Sequence, residues 1–266
     1  MMNEPVRTKK NIKLTLAYDG SQYHGFQFQL NALTVQKVLE EKLSLLLGEP
    51  VRVTGAARTD AGVHAYNQVV NFRTASPMPT DRIPIALRGT LPRDIVVTQA
   101  NDVPNNFHAR FSATGKLYSY KILNSSFSDP TQRNYAWQFY KPLNVGEMDQ
   151  ALQLLVGEHN FAAFQSSGSS ARNPVRILYS LKCDCLNNLV EIRLHGNGFL
   201  YHMVRNIIGT AVDVGTGKLS IEQFRQIFEG KDRKKSGATA PACGLYLVDV
   251  FYENTAEILD NIDNIK

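Results

Sequence analysis

The chain has 266 residues, 43% of them hydrophobic and 20% charged, with a formal net charge of +5. That length suffices for one large or two modest domains, each with a core of its own, and the composition is that of an ordinary globular protein. No apolar run approaches the roughly 18–20 residues that span a bilayer, and the polar, basic stretch from Met1 to Asn11 does not read as a signal peptide, so a cytoplasmic protein with no membrane partner is expected.

The first strand signal is Ile12 to Tyr18, alternating apolar and polar, followed by a turn at Asp19-Gly20 and the aromatic-rich Tyr23 to Phe28. A helix is predicted from Thr34, a good N-cap, to Leu47. Val35, Val38, Leu39, Leu43 and Leu46 share one of its faces, and Gly48 stops it. Strands are expected at Val51–Val53 and Gln68–Phe72, with a loop between them, then a short helix near Ile83–Leu87 and a strand at Ile95–Thr98.

The second half repeats this grammar. Leu117–Leu123 reads as a strand, Met148–Val156 as a helix, and Ile177–Cys185 with Leu189–Leu194 as a hairpin about Asn187-Asn188. A very apolar helix is predicted over Tyr201–Val214. Another, Ser220–Glu229, carries a capping box at Ser220 and Gln223 and is closed by Gly230, and a last strand spans Leu245–Phe251. Ser166 to Ser170 reads as a flexible loop, and the tail from Ala256 to Ile265 has apolar residues at helical spacing. The pattern is α+β: two related strand–helix–strand halves with mainly antiparallel strands. The expected divisions are a flexible basic tail over 1–11, one half over 12–110 and a second over 111–266.

Cys183 and Cys185 lie two apart in a strand and face the same way, and with Cys243 they are expected to be packed core thiols. The paired short spacings of a four-ligand metal site are missing, so no metal is expected. Basic residues gather as Arg7, Lys9 and Lys10, as Arg172 and Arg176, and as Lys231, Arg233, Lys234 and Lys235; together they suit a phosphate-contacting rim. Gly215-Thr216-Gly217-Lys218 has a superficial likeness to a phosphate-binding loop but lacks the preceding strand and the spacing.

Chemistry concentrates at Arg58-Thr59-Asp60-Ala61-Gly62-Val63-His64. Its loop is bounded by Gly55 and Gly62 and sits between two strands, where a carboxylate can be held at a fixed angle. On local features alone a turn capped by Asp60 is the stronger reading. Arg205 adds weight on the other side. It lies in a helix apolar on nearly every face, with no acid within a turn, so if buried it needs a distant carboxylate, for which Asp60 is one candidate; otherwise it snorkels from the helix start. Tyr118 and Tyr120 share a strand face beside Lys116 and can stack on an unpaired base or pack in the core. His64 and His202 have no paired acid at recognisable spacing and read as structural or RNA-contacting.

An ordered series of blocks spans nearly the whole chain: Tyr18-Asp19-Gly20 with Gly25-Phe26-Gln27; Gly55 to Ala65 with Gln68-Val69-Val70; Leu91-Pro92 with Asp94-Ile95; Phe107-His108-Ala109-Arg110; Tyr118 with Tyr120; His202 to Gly209; and Gly244-Leu245-Tyr246-Leu247. On these blocks the sequence resembles the tRNA pseudouridine synthases of the TruA family. The resemblance implies isomerisation of uridine to pseudouridine at nucleotides 38–40 of the tRNA anticodon stem-loop, by an enzyme with no cofactor and no metal. It implies the pseudouridine synthase fold, two similar α+β halves around a central basic cleft, and a homodimer. Asp60 matches the family's essential aspartate, a nucleophile at C1′ or a base at C2′, and Tyr118 matches the tyrosine that stacks on the target uracil. Arg205 matches the arginine paired with the aspartate, Arg58 a position linked to nucleotide flipping, and Leu245 an apolar pocket residue. Departures occur at Ala57, where glycine is common, at Arg88-Gly89-Thr90, and at Leu117 and Ser119, where basic residues are usual. The last two bear on RNA affinity and site range. A tRNA-binding protein without catalysis, and a synthase acting at other tRNA positions, are the alternative readings.

Overall fold

The computed structural model describes residues 9–169 and 171–253; Arg7 and the tail from Ala256 lie outside them. The chain forms two compact units, one ending at Ala113 and the other beginning at Thr114. Both mix helices with antiparallel strands, so the chain is α+β.

In the first unit, β1 (Lys10–Tyr18) is the middle strand. It pairs antiparallel with β3 (His64–Thr74) on one side and β4 (Ile95–Val103) on the other, and β2 (Thr54–Gly55) adds to β3. Its alternation puts Ile12, Leu14, Leu16 and Tyr18 in the core. β1 starts at Lys10, inside the stretch expected to be a tail. Lys10 Nζ donates to Met78 O at 2.7 Å, and Asn11 Nδ2 donates to the carbonyls of Pro104 and Phe107, both at 3.0 Å.

Helix α1 (Val35–Leu47) begins and ends as predicted, with Thr34 accepting from Lys37 N and Gly48 left-handed at φ 70°. It buries Val35, Leu39, Leu43 and Leu47, each worth about 1.5–3 kcal/mol of removal from water. The strand expected at Val51–Val53 is not one. Val51 N donates to Ser44 Oγ and Val53 N to Glu40 Oε1, so side chains of α1 take the bonds a neighbouring strand would have taken. Helix α2 (Ile83–Arg88) then leads into β4.

The second unit is built on β5 (Gly115–Asn124). One edge of β5 pairs with β9 (Leu189–Gly196); the other takes β10 (Leu245–Phe251) along Gly115–Tyr120 and, in parallel, β6 (Trp137–Phe139) along Ile122–Asn124. β9 continues to β8 (Val175–Leu186) through a turn with Asn187 at φ 58°, and β8 to β7 (Gly157–Asn160).

Helix α3 (Val145–Gln153) starts three residues before the predicted Met148 because Asn144 caps it, accepting from Glu147 N; its first turn is too polar to show a period. Met148, Ala151 and Leu152 are buried as expected, and α3 packs on β8 and on α4 (Met203–Gly215). Helix α5 (Ile221–Gly230) has the predicted capping box, but its left-handed stop is Lys231 at φ 55°, one residue past Gly230. Gly215 to Lys218 is the C-terminal turn of α4, with Gly217 at φ 73° and Lys218 Nζ 3.1 Å from Asp213.

Only Cys183 of the three cysteines is fully buried; Cys185 is exposed and Cys243 intermediate. Cys185 shares a sheet face with Cys183 but lies at the hairpin end, beyond the core's cover. His195 of β9 is wholly buried between Tyr179 and Phe251, with ring centroids 4.9 and 5.0 Å away. Neither of its ring nitrogens has a hydrogen-bond partner among the described residues, and burial pushes its pKa down to about 4.

Candidate active site

Asp60 sits in the loop between β2 and β3 and is half-buried, while Arg58 is exposed and Ala57 packed inside. The loop is held from two sides. From β3, Gln68, with no exposed surface, accepts from Ala57 N (3.2 Å) and Val69 N (3.2 Å) and donates to Ala57 O (2.9 Å). Its amide nitrogen also reaches Tyr18 OH at 3.4 Å, and Tyr18 OH shares a 2.7 Å bond with Thr59 Oγ1. Burial pushes the Tyr18 phenol well above its ordinary pKa, so it stays protonated.

The other side is a strap formed by residues 23–26. Phe26 N donates to Thr59 O (3.0 Å) and Gly62 N to Tyr23 O (3.3 Å). Gly25, at φ +88°, passes so close that a Cβ would stand 2.6 Å from Thr59 O, so only glycine fits. Tyr23 OH donates to Asp94 Oδ1 at 2.7 Å, tying the strap to the start of β4. Val63 N closes the turn on Asp60 O. His64 is buried, with its Nδ1 3.2 Å from both Gly20 N and Asp19 Oδ1, against the turn that follows β1.

The other predicted residues belong to the second unit. Tyr118 is in mid-β5, opposite Leu194 and Leu247, with its ring edge-on to Phe199 at 5.0 Å. Tyr120, on the same face, is pure core: it is fully buried, its OH donates to Pro241 O at 2.7 Å, and burial raises its pKa. Leu245 is buried opposite Tyr120 at the start of β10.

Arg205 is half-buried rather than buried, because it occupies the first turn of α4 while later turns are enclosed. Its Nε donates to Ala240 O (2.7 Å), and Ala240 N returns a bond to Arg205 O (3.1 Å). The segment carrying Ala240 is stapled to α4. Gly209 gives it room, since a Cβ there would stand 1.7 Å from Ala238 O, and Gly237 N donates to Thr210 Oγ1.

Arg233, expected on a phosphate-binding rim, is committed to this staple. It donates to Asn206 Oδ1 (2.8 Å), Thr239 Oγ1 (3.0 Å), Ser236 Oγ (2.8 Å) and Gly237 O (3.0 Å). Lys231, Lys234 and Lys235 remain exposed, as does Arg172; Arg176 is half-buried and donates to Asn173 O. His202 precedes α4 at φ 60°, its Nδ1 3.2 Å from Ser166 Oγ, and Ser166 also accepts from Asn206 Nδ2, so the serine-rich loop is pinned at its start.

Sequence reasoning did not single out Gly25 or Gln68 as site residues, although both lie in the matched blocks. A signal existed for Gln68: it occupies the same strand face as Val70 and Phe72, where a polar side chain needs a buried partner. Among the described residues, no three His, Cys, Asp or Glu side chains are grouped to hold a metal ion, and no helix is long and apolar enough to cross a membrane.

The sequence model of the tRNA pseudouridine synthase family matches residues 15–112 and 151–253, which takes in the Asp60 loop, α4 and β10. A protein of Thermoanaerobacter sp. (strain X514) named tRNA pseudouridine synthase A is 47% identical over 243 residues, covering 91% of this chain and 100% of its own. The protein of that name from Ruminiclostridium cellulolyticum is 48% identical over 244 residues, again 91% and 100%. One from Protochlamydia amoebophila, tRNA pseudouridine synthase A 1, is 42% identical over 252 residues, covering 93% and 98%. The chain belongs to the tRNA pseudouridine synthase family.

Proposed function

We propose that the chain isomerises uridine to pseudouridine at nucleotides 38–40 of the tRNA anticodon stem-loop, with Asp60 starting the reaction. The observation that carries this reading is the family match on both sides of the chain, with Asp60 on a loop whose backbone is fixed from two directions. The target base has to leave its stack to be reached. The N1–C1′ bond then breaks, the uracil turns, C5 bonds to C1′, and the C5 proton leaves as N1 gains one. Atoms and electrons balance within the substrate and a protein base, so the reaction calls for neither an oxidant nor an energy source.

Asp60 either attacks C1′ as a nucleophile or removes the C2′ proton. Arg205 is its ionic partner in the working complex, keeping the carboxylate charged and oriented. Tyr118 stacks on the uracil and takes the C5 proton, Leu245 lines the pocket, and exposed Arg58 assists extrusion of the nucleotide. The working form is a cytoplasmic homodimer.

Incubation with an unmodified tRNA transcript, followed by pseudouridine mapping, tests the assignment. The expected product is confined to nucleotides 38–40. Asp60→Asn is expected to bind tRNA and unfold like the wild type while losing turnover by about 10²–10⁴-fold. Product at other positions overturns the site range, and an active Asp60→Asn overturns the role of Asp60.

A further inference from the structure

We infer that Tyr18, Thr59 and Gln68 form a buried positioning relay that sets the direction of the Asp60 side chain, an inference that rests on the catalytic reading of Asp60. The three side chains come from β1, the loop and β3, and are 4%, 8% and 0% exposed. Gln68 spends its full hydrogen-bond capacity inside this cluster. Both acceptor sites of Gln68 Oε1 are taken by Ala57 N and Val69 N, and the two Nε2 hydrogens go to Ala57 O and Tyr18 OH. Tyr18 OH in turn shares a 2.7 Å hydrogen bond with Thr59 Oγ1, in which either oxygen can donate.

The relay ends one residue before Asp60. A core needing only volume here would be filled by apolar side chains, which carry no angular preference. Saturated polar groups in a low-dielectric interior define direction, because each misalignment leaves a buried donor or acceptor unpaired. The backbone at Thr59 is also pinned from the opposite side, where its carbonyl accepts from Phe26 N. With side chain and carbonyl both held, the peptide leading into Asp60 has little freedom to rotate. A displacement of about 1 Å at a reacting group can cost roughly 10²-fold in rate.

The experiment compares Tyr18→Phe and Thr59→Val with Thr80→Val, which removes a buried hydroxyl bonded to Asp102 at 2.9 Å elsewhere in the same unit. Single-turnover rates and tRNA affinity are measured below every variant's melting temperature. Tyr18→Phe and Thr59→Val are expected to lower the chemical rate about 10–100-fold while leaving tRNA affinity unchanged. Thr59→Ser, which keeps Oγ, should recover most of the rate, and Thr80→Val should lose stability alone. Wild-type rates in both relay variants, or an equal rate loss in Thr80→Val, overturn the inference. If Tyr18→Phe fails to fold, the contrast between Thr59→Ser and Thr59→Val decides; if Thr59→Val fails, the rate of Tyr18→Phe against that of Thr80→Val decides. An active Asp60→Asn would instead remove the catalytic reading, and so separates the two failures.

Discussion

The Asp60 loop and the segment that meets Arg205 solve one problem, fixing a short stretch of irregular chain, with opposite chemistry. The bonds that Gln68, Tyr18 and the strap make to the Asp60 loop come from neutral groups, an amide, a phenol, a hydroxyl and backbone groups, with Gly25 passing close in a left-handed conformation. Around Ala240 the clamp is a cation, Arg233, whose guanidinium spreads over two side-chain hydroxyls, an amide oxygen and a carbonyl. Neutral hydrogen bonds fix the backbone without themselves adding a net charge to the loop. A charged clamp binds more strongly, since hydrogen bonds from charged groups are worth roughly twice neutral ones. It suits a segment whose neighbour is itself an arginine held through a carbonyl.

The sharpest break of this contrast is Gly25→Ala. The φ of +88° and the clash with Thr59 O force the strap or the loop to move, at about 1–3 kcal/mol in strain. Both the melting temperature and the single-turnover rate should fall, the rate by more than about 10-fold; an active variant would show that the strap does not set the loop. Next comes Arg233→Met, which removes the charged donor shared by Asn206 Oδ1, Thr239 Oγ1, Ser236 Oγ and Gly237 O, leaving Asn206 Oδ1 only its bond from Thr239 Oγ1, and should cost about 2–3 kcal/mol in urea unfolding. Lys234→Ala next to it should leave stability unchanged and reduce the salt slope of tRNA binding by roughly 0.9 if it meets a phosphate.

The last effect concerns His195 and is confined to acid pH. Its folded pKa of about 4 lies below the unfolded value of roughly 6.5. As pH falls from 6.5 towards 4 the unfolded chain takes up a proton that the folded chain refuses, so stability drops across that window and this contribution levels off below it. His195→Phe should flatten that part of the curve while remaining near wild-type stability at pH 7, since no described hydrogen bond is lost. An unchanged slope would show that His195 is not the group being titrated.

Where local chemistry and tertiary demand agree, the sequence was readable. Thr34 and Gly48 bound α1, Ser220 and Gln223 box α5, and Asn187 turns the β8–β9 hairpin, each by contacts within a few residues. Readings failed where a distant side chain took over a backbone bond, as Glu40 and Ser44 did at Val51–Val53, or where a charge was assigned to a phosphate-contacting rim although five backbone and side-chain oxygens of its own unit awaited it, as at Arg233. Asp60 stood out only through the argument from Arg205 and the ordered family blocks, since its local features alone favour a turn. The Tyr18–Thr59–Gln68 relay has no local signature, since its members are 9 to 50 residues apart and meet only after β1 has paired with β3.

β1 also has a consequence for the making of the protein. It is the first strand among the described residues and the middle strand of its unit, and Asn11 closes on Pro104 and Phe107, 93 and 96 residues later, while Asn71 joins Asn11 to Ala109. At a synthesis rate of about 5–20 residues per second, Asn11 waits roughly 5–20 s on the ribosome for those partners to be made. Throughout that interval β1 has an open edge, and the nascent chain depends on its lysines, Lys10 and Lys13, to discourage pairing with a stranger.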